Sequence, residues 1–402
     1  MVQRVQELVV IIRIAFTLIG GRFWTGGYNY LLNVLRAMDA YVAERVRPIL
    51  FVGNDVDEED ILLFRNLDGV EVIRSEIFNG SNTNARLTQA FLYGKDRAAE
   101  RIFEEHAIDV VFEPAAYYGW RFAVPAIAWV PDFQHRHLPE MFERKTYWKR
   151  ELRVRAQVAT GRHILLSSED ARRDCEKFYP GSRGRTSVVR FAVIADIGSM
   201  VSNPAEIASA YGLPKYFFYL PNQFWKHKNH ALVIEAIAEL RGRGKEVVVA
   251  VSGKQEDPYN PGHYKTIEAL IQARGVSENF RILGMIPHDH LYALMRSCSA
   301  LINPSLCEGW STTVEEAKSL GVPMLLSDLS VHREQVGQDA KFFDPGSVKQ
   351  LADLMSEYEP VAVQTRKLNE EKAIESARFR VEQFALDFEK AIEQRLGVQD
   401  AK

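Results

Sequence analysis

Residues 303–323 of this 402-residue chain have the sequence NPSLCEGWSTTVEEAKSLGVP. Two acids lie eight positions apart in it: Glu308 follows a predicted strand at 300–303, and Glu316 lies about one turn into a predicted helix. Free amide groups and the helix dipole make a helix N-terminus attractive to anions. The stretch therefore predicts a site for a ligand with a phosphate between hydroxyl-rich rings, such as a nucleotide sugar.

The same residues resemble a family signature, PSxxEGxxxxxxEAxxxGxP, of the retaining family-4 (group 1) glycosyltransferases, which have the GT-B fold. The resemblance implies that Glu308 is catalytic and contacts the donor sugar, and that Glu316 binds the ribose. It also implies that the diphosphate lies against the backbone of Gly309, Trp310, Ser311 and Thr312. Relatives often have Phe-Gly at the Trp310-Ser311 pair, although Ser311 is also small.

Helix capping is the alternative explanation for two of the acids. Thr312-x-x-Glu315 and Thr313-x-x-Glu316 both match the capping box, in which the glutamate bonds to a backbone amide at the helix start. We adopt this interpretation for Glu315, whereas the full signature favours a ligand role for Glu316. Glu308 precedes the helix by too many residues to cap it.

Length and composition indicate a two-domain globular protein. A chain of 402 residues exceeds the roughly 250–300 residues at which single cores stop growing. The net charge of −3 provides no overall attraction to nucleic acid or membranes. Three cysteines without metal-like spacing, and no secretory signal, predict a cytoplasmic location, with the inner face of the membrane as an alternative.

Predicted strands and helices alternate along the chain, with six strands in its first half and five in its second. This rhythm predicts an α/β protein with two Rossmann-like, doubly wound domains that face a cleft. We assign residues 1–200 to an acceptor-binding domain and 201–375 to a nucleotide-sugar donor domain, with a linker near 199–214. Residues 376–402 form a C-terminal helix, which either packs back on the first domain or is a solvated tail.

Glycines precede the first predicted helix, at Gly26 and Gly27 in a loop spanning 19–27. The loop does not match GxGxxG, so a nicotinamide site is not predicted. The family resemblance implies that this pair lies against the donor's diphosphate and sugar. A plain tight turn is the alternative, because glycine is also the usual residue of tight turns.

A basic motif, Lys226-His-Lys228-Asn229, follows a predicted strand and resembles the GRxxxxKN element of the family. Lys228 occupies the lysine position, while Asn222 and Gln223 stand where relatives have Gly and Arg. A cation has a chemical reason here, because loss of the sugar leaves negative charge on the nucleoside diphosphate. We therefore assign Lys228 and Asn222 to donor binding.

Residues 131–137, PDFQHRH, follow a predicted strand of the first domain and are expected to face the cleft. Relatives commonly carry a His-Asp pair at this place, and Pro131 replaces that histidine. His135 is the nearest imidazole that could contact the donor sugar or orient the acceptor, and we assign it a catalytic role. A structural histidine is the alternative.

Asp55-Val-Asp57 imitates a metal-binding motif of a different glycosyltransferase fold. It belongs to an acidic run that we interpret as solvated surface. The GT-B resemblance needs no divalent ion, so we predict no metal and no cofactor besides the donor substrate.

Residues 141–155 combine aromatic side chains with an excess of basic ones. Such a segment suits peripheral contact with an anionic membrane that carries a lipid-linked acceptor. We favour the alternative, in which Tyr147 and Trp148 pack into the core beneath a solvated basic face. Nucleic acid is not expected as a partner of an acidic chain.

The leading functional hypothesis is hexosyl transfer from a nucleoside diphosphate sugar to a glycan or lipid-linked glycan. Residues 220–229 resemble bacterial mannosyltransferases of surface-polysaccharide synthesis, such as lipopolysaccharide, and this favours GDP-mannose as the donor. Backbone near 252–254 and 285–287 is expected to contact the base. Two alternatives remain, a nucleotide-sugar 2-epimerase and a non-catalytic nucleotide- or glycan-binding protein.

Overall fold

A computed structural model describes residues 11–20, 25–114, 116–194 and 203–397. The described strands form two wholly parallel sheets. The first sheet has the order β3-β2-β1-β4-β5-β6-β7. Its strands are β1 (Ile12–Thr17), β2 (Val46–Val52), β3 (Glu71–Arg74), β4 (Val110–Glu113), β5 (Ala126–Trp129), β6 (His163–Leu166) and β7 (Thr186–Val188).

The second sheet has the order β10-β9-β8-β11-β12-β13. Its strands are β8 (Phe218–Leu220), β9 (Val249–Ser252), β10 (Phe280–Gly284), β11 (Leu301–Asn303), β12 (Met324–Ser327) and β13 (Lys341–Phe343). Strands β4, β5, β6, β8, β9, β11 and β12 are buried along their whole length. Burial on both faces explains why they appear in the sequence as short apolar runs without alternation.

Helices connect most consecutive strands. In the first half they are α1 (Thr25–Tyr41), α2 (Glu58–Arg65), α3 (Thr83–Tyr93), α4 (Arg97–Glu105), α5 (Gln134–His137), α6 (Arg144–Ala159) and α7 (Glu169–Phe178). In the second half they are α8 (Pro204–Ala210), α9 (His230–Gly242), α10 (His263–Arg274), α11 (His288–Ser297), α12 (Thr312–Ser319), α13 (Ser330–Val336), α14 (Val348–Ser356) and α15 (Val363–Leu396).

Strand order reverses at the centre of each sheet. Ile14 of β1 lies beside both Pro48 and Val110, on the strands to either side. In the second sheet, β8 lies between β9 and β11 in the same way. Crevices at such switch points, beside the carboxyl ends of the strands, are where open α/β sheets bind ligands. The predicted pair of doubly wound parallel sheets is thereby confirmed.

The long final helix, α15, covers the first sheet although it follows the second one in sequence. Phe384, Phe388 and Ile392 are buried in the same core as Phe16 and Phe112. At 1.5 Å per residue, its 34 residues span about 50 Å, enough to reach across both halves.

One sequence-based boundary differs from the structure. The predicted linker 199–214 includes α8, in which Pro204 occupies the first turn and Ala208 is buried. Pro favours a helix start, and the apolar residues around Ala208 and Leu213 bury that helix in the second core. Residues 195–202, where we placed the domain boundary, lie outside the described residues. So do residues 9–10 of the first strand, which the sequence predicts over residues 9–18.

Candidate active site

A cavity of about 450 Å³ lies between the carboxyl ends of the two sheets. Eight of the eleven predicted site residues line it: Gly26, Asn222, Lys228, Glu308, Gly309, Trp310, Thr312 and Glu316. The other three, Gly27, Ser311 and His135, are buried outside its lining. The structure therefore brings most of the predicted site together from segments almost three hundred residues apart.

An ion pair lies at the centre of the second-sheet wall. The Lys228 ammonium contacts the Glu308 carboxylate, with Nζ 2.6 Å from Oε1. Both side chains are mostly buried, at 16% and 9% exposure, so solvent screens the pair little. Burial acts to raise the pKa of Glu308, but the nearby Lys228 and His227 and hydrogen bonds from Lys228 and Ser305 lower it below its usual value. Glu308 is therefore ionised at neutral pH.

Sheet topology positions this pair. Lys228 follows β8 and Glu308 follows β11, and these strands are neighbours in the sheet. Asn229 has a left-handed φ of 55° and donates hydrogen bonds through Nδ2 to the carbonyls of Pro304 (3.1 Å) and Pro345 (3.0 Å). These bonds fasten the Lys228 turn to the loop that carries Glu308.

The loop between β11 and α12 is organised by the buried side chain of Asn303. Its Oδ1 accepts the Ser305 hydroxyl at 2.6 Å, and its Nδ2 donates to Ser311 Oγ at 2.9 Å. Asn222 Nδ2 also donates to Asn303 Oδ1, at 3.4 Å. Asn222 thus contributes both to the cavity wall and to the rigidity of the loop.

Ser311 is the N-cap of α12 and does not line the cavity, contrary to the predicted diphosphate contact. Its hydroxyl accepts the Val314 amide at 3.4 Å, and its own amide donates to Gln335 Oε1 at 3.3 Å. The helix cap therefore lies one residue before the predicted one. The capping role of Glu315 is also wrong, because Glu315 accepts bonds from Arg380 and Gln335 instead.

Glu316 lies on the cavity wall in the first turns of α12 and is 7% exposed. Burial raises the pKa of its carboxyl to about 8. At neutral pH the group is therefore largely protonated, and a carboxylic acid can both donate and accept hydrogen bonds. Such a group suits a hydroxyl pair, because each hydroxyl can also donate and accept.

Gly309 is a point of close approach between the two halves. A Cβ at this position would lie 1.7 Å from the Pro131 carbonyl oxygen, so only glycine fits. Ser168 Oγ donates to the Gly309 carbonyl at 3.0 Å, and Trp310 Nε1 donates to the Phe191 carbonyl at 2.9 Å. The signature loop thus lines the cavity and also contacts the first half.

On the first-sheet wall, Asp132 rather than His135 reaches the cavity. Arg150 donates to Asp132 Oδ1 at 2.5 Å. Burial acts to raise the pKa of Asp132, but Arg150, the Gln134 amide and His135 lower it. The wall therefore presents a carboxylate held by an arginine.

The predicted placement of His135 at the cleft is wrong. It is 1% exposed, and its Nε2 lies 3.3 Å from Glu151 Oε2 and 3.4 Å from the Tyr179 hydroxyl. The short helix α5 begins immediately after Phe133 and directs position 135 toward α6. Burial lowers the pKa of His135 to about 4, so the imidazole is neutral.

Gly26 and Gly27 lie in the first turns of α1, because the helix begins at Thr25 rather than at the predicted residue 28. Gly26 lines the cavity and Gly27 is buried behind it. The glycine pair is therefore helical and not part of a free loop.

Sequence reasoning missed an aromatic part of the wall. The rings of Tyr30 and Trp129 stack with centroids 4.0 Å apart and planes within 9°. The Tyr30 hydroxyl is buried and has no hydrogen-bond partner within the described part of the chain. The position of Tyr30, just after Gly26-Gly27 on α1, is a signal that could have identified it.

The segments expected to contact a base also line the cavity. Ser252 ends β9 and Gly253 follows it, and Met285 and Ile286 follow β10. Gly253 has a φ of 142°, and a Cβ there would lie 2.5 Å from the Asn222 carbonyl oxygen. Glycine is required at this close approach, which sets the shape of this end of the cavity.

Asp55, one of the two acids rejected as metal ligands, has a structural contact. Its Oδ2 accepts the Gly80 amide at 2.8 Å, joining the loop after β2 to the segment before α3.

Comparisons with known proteins find a family match in the second half of the chain. Residues 206–372 match the family described as glycosyl transferases group 1, and this segment carries Asn222, Lys228, Glu308 and Glu316. The 2-deoxystreptamine glucosyltransferase of Streptomyces kanamyceticus is 26% identical over 130 residues, which are 32% of this chain and 31% of that protein. The match thus spans about a third of the length of that relative.

Solved structures extend the similarity to the whole fold. A glycosyltransferase from Rickettsia africae ESF-5 superposes with a TM-score of 0.69 at 13% identity, covering 97% of this chain and all of the other. Anabaena Alr3699/HepE in complex with UDP and glucose gives a TM-score of 0.66 at 17% identity, covering 95% and 99%. These identities show the fold alone, which is that of the GT-B glycosyltransferases. Residues 206–372 therefore match the group 1 glycosyl transferases, and this match covers less than half of the chain.

Proposed function

We propose that this protein is a retaining glycosyltransferase that moves a hexose from a nucleoside diphosphate sugar to a hydroxyl of a glycan or lipid-linked glycan. The observation that carries the proposal is the Lys228–Glu308 ion pair, 2.6 Å long, beside the N-terminus of α12. The pair lies inside the segment that matches the group 1 family.

In this reaction, the bond between the anomeric carbon and the diphosphate oxygen breaks, and the electron pair leaves with the diphosphate. The acceptor hydroxyl attacks the same face of the sugar, and its proton passes to the departing phosphate oxygen. Lys228 and the amides at the start of α12 stabilise the charge that develops there. A charged group already in place in a mostly buried site lowers the activation barrier for this bond cleavage more than the same group would in water.

Other cavity residues have roles in holding the donor. Glu308, ionised and lining the cavity, accepts hydrogen bonds from the sugar hydroxyls. Glu316 binds the ribose hydroxyls, and backbone at Gly253 and Met285 contacts the base. We further propose that the reaction needs no divalent metal, so activity should survive chelation by EDTA.

Two donors have specific support. The resemblance of residues 220–229 to mannosyltransferases favours GDP-mannose. UDP-glucose is the second candidate, because the similar curated protein is named a glucosyltransferase and the Anabaena structure holds UDP and glucose.

The test incubates the purified protein with GDP-mannose, UDP-glucose and other nucleotide sugars, with and without an extract of bacterial glycans and lipid-linked glycans. Nucleoside diphosphate release and the mass of the product are measured. We expect one donor to react, with release that depends on the acceptor extract and a product heavier by one hexose. Release or a changed sugar without acceptor would favour the 2-epimerase, and binding without turnover would favour a non-catalytic protein.

The stereochemistry needs its own measurement. Proton NMR of the first-formed product distinguishes the two anomers by their coupling constants. A product with the anomeric configuration of the donor supports retention, whereas the opposite configuration contradicts that part of the proposal.

A further inference from the structure

One face of helix α6, on the first half of the molecule, is exposed and combines apolar with basic side chains. Trp148 is 47% exposed and Leu152 is 54% exposed. Exposed basic residues flank them at Arg144, Lys145 and Lys149. Positions three and four residues apart share one side of a helix, so these side chains form a single surface, which we call the α6 face.

Charge is concentrated on this helix. Residues 144–159 contain six basic residues and one acidic residue, Glu151, in a chain whose net charge is −3. Glu151 is buried beneath the face, where it accepts bonds from Arg155 and Tyr179. The outer surface of α6 is therefore strongly positive, while the rest of the molecule is acidic.

The favoured sequence interpretation, with Trp148 packed in the core, is contradicted by this exposure. The inner face of α6 is filled instead by Val154, Gln157 and Val158, all buried. Tyr147 is half-buried, and its hydroxyl accepts a bond from Arg136 at 3.3 Å. The Trp148 ring contacts Tyr147 edge-on, with centroids 5.4 Å apart, but about half of the indole lies exposed among lysines and arginines.

The α6 face is coupled to the cavity through the helix itself. Arg150, one turn from Lys145 and adjacent to Lys149, donates to Asp132 on the cavity wall. The same helix therefore holds a wall of the site on one side and presents its basic and apolar surface on the other.

We propose that the α6 face docks the protein on the surface of a bilayer that contains anionic phospholipid. Tryptophan and leucine gain free energy by entering the interfacial region, and lysine and arginine are attracted to the negative headgroups. Attachment is peripheral, because no described helix is both long and apolar enough to span a bilayer. Docking would place the cavity wall near substrates that reside in the membrane.

Nucleic acid is the other partner that basic and aromatic residues can attract, and one feature favours lipid. The exposed apolar area includes an aliphatic side chain, Leu152, which provides no stacking surface for a base.

Vesicle flotation with the full-length protein tests the proposal and requires neither donor nor acceptor, so its result is independent of the transferase activity. We expect binding to vesicles of phosphatidylcholine with about 30% phosphatidylglycerol at ~0.1 M NaCl, and loss of binding at ~0.5 M NaCl. Vesicles of phosphatidylcholine alone should bind much less.

Variants of the face identify the surface. Removing three charges with R144A, K145A and K149A should weaken binding about 100-fold, since each basic residue contributes near the surface. Trp148→Ala with Leu152→Ala should weaken binding and reduce its persistence at high salt. Circular dichroism and the melting temperature confirm that the variants are folded.

A matched control lies on α15, which has exposed residues of the same types but equal numbers of acidic and basic residues. K372A, R378A and F379A together should leave vesicle binding unchanged, because these side chains are exposed on a helix of no net charge. Equal loss in this control, unchanged binding in the α6 variants, or binding to a single-stranded oligonucleotide but not to vesicles would each overturn the proposal.

Discussion

The two walls of the cavity were predictable to very different degrees. On the second-sheet wall, Lys228, Glu308 and Glu316 lie where the sequence motifs predicted, at the ends of adjacent strands and on the next helix. On the first-sheet wall, the predicted His135 is buried behind Asp132, and the stacked rings of Tyr30 and Trp129 went unnoticed. Fixed spacing within one strand–loop–helix unit identifies one wall, whereas the other is assembled by tertiary packing.

Glu308→Gln removes the charge of the central acid on the second-sheet wall and should have the largest effect on activity. Glutamine keeps the size of the side chain but removes the charge that faces Lys228 at 2.6 Å. We expect kcat to fall about 1000-fold, as for loss of a preplaced electrostatic group. The measurement is nucleoside diphosphate release at saturating donor, with circular dichroism to confirm folding. A kcat within tenfold of the wild type would contradict the assignment.

Gly309→Ala tests the contact between the walls. The added Cβ would lie 1.7 Å from the Pro131 carbonyl oxygen, so the two halves must separate. A shift of about 1 Å in a reacting group can cost roughly 100-fold in rate, and we expect kcat/KM to fall by that order. Gly242→Ala is the matched control, because a Cβ there meets nothing within 4 Å. Equal effects of the two substitutions would refute the close-approach argument.

Glu316 provides a pH-dependent test of the second-sheet wall. Its pKa in the folded protein, about 8, exceeds the ordinary 4.5, so its contribution to stability is full below pH 4.5 and is lost as the pH rises to 8. Relative to Glu316→Gln, the wild-type free energy of unfolding should fall by up to about 1.4 kcal/mol per pH unit in that window. Urea unfolding at several pH values measures this difference. Parallel pH profiles of the two proteins would show that burial does not raise the pKa.

His135→Gln should have the smallest effect on activity, because the imidazole does not line the cavity. Its contacts with Glu151 and Tyr179 are buried, so the free energy of unfolding should fall by about 1–3 kcal/mol while kcat stays within a factor of about two. Urea unfolding and steady-state rates separate the two effects. A large loss of kcat at unchanged stability would restore the catalytic role first predicted for His135.

Much of the fold could be predicted from the sequence, because parallel strands that are buried on both faces appear as short apolar runs between helices. Two strands escaped prediction, Thr186–Val188 and Lys341–Phe343, which are only three residues long and half exposed. β8 and β11 are equally short, but they are wholly buried and therefore appear in the sequence as apolar runs. A partly exposed strand of three residues shows neither an apolar run nor a periodicity. The prediction also missed α8, whose burial beside Leu213 depends on the second core.

Some errors arose where neighbouring residues have the same local propensity, so that the sequence could not show which one takes the role. Ser311, Thr312 and Thr313 can all cap a helix. Ser311 takes this role in the structure, where its hydroxyl also accepts a hydrogen bond from Asn303, a contact that the capping motifs do not include. Trp148 was misassigned for a related reason, because a helix with apolar residues on two sides does not reveal which side is buried.

The most direct test of the account is isothermal titration calorimetry of GDP, UDP, ADP and dTDP with the wild type and with Lys228→Ala. We predict that one nucleoside diphosphate binds the wild type and that Lys228→Ala weakens this binding about 10–100-fold, the cost of losing a charge-assisted contact to phosphate. Absence of binding by all four, or equal affinity of the variant, would contradict the placement of the donor's diphosphate beside Lys228.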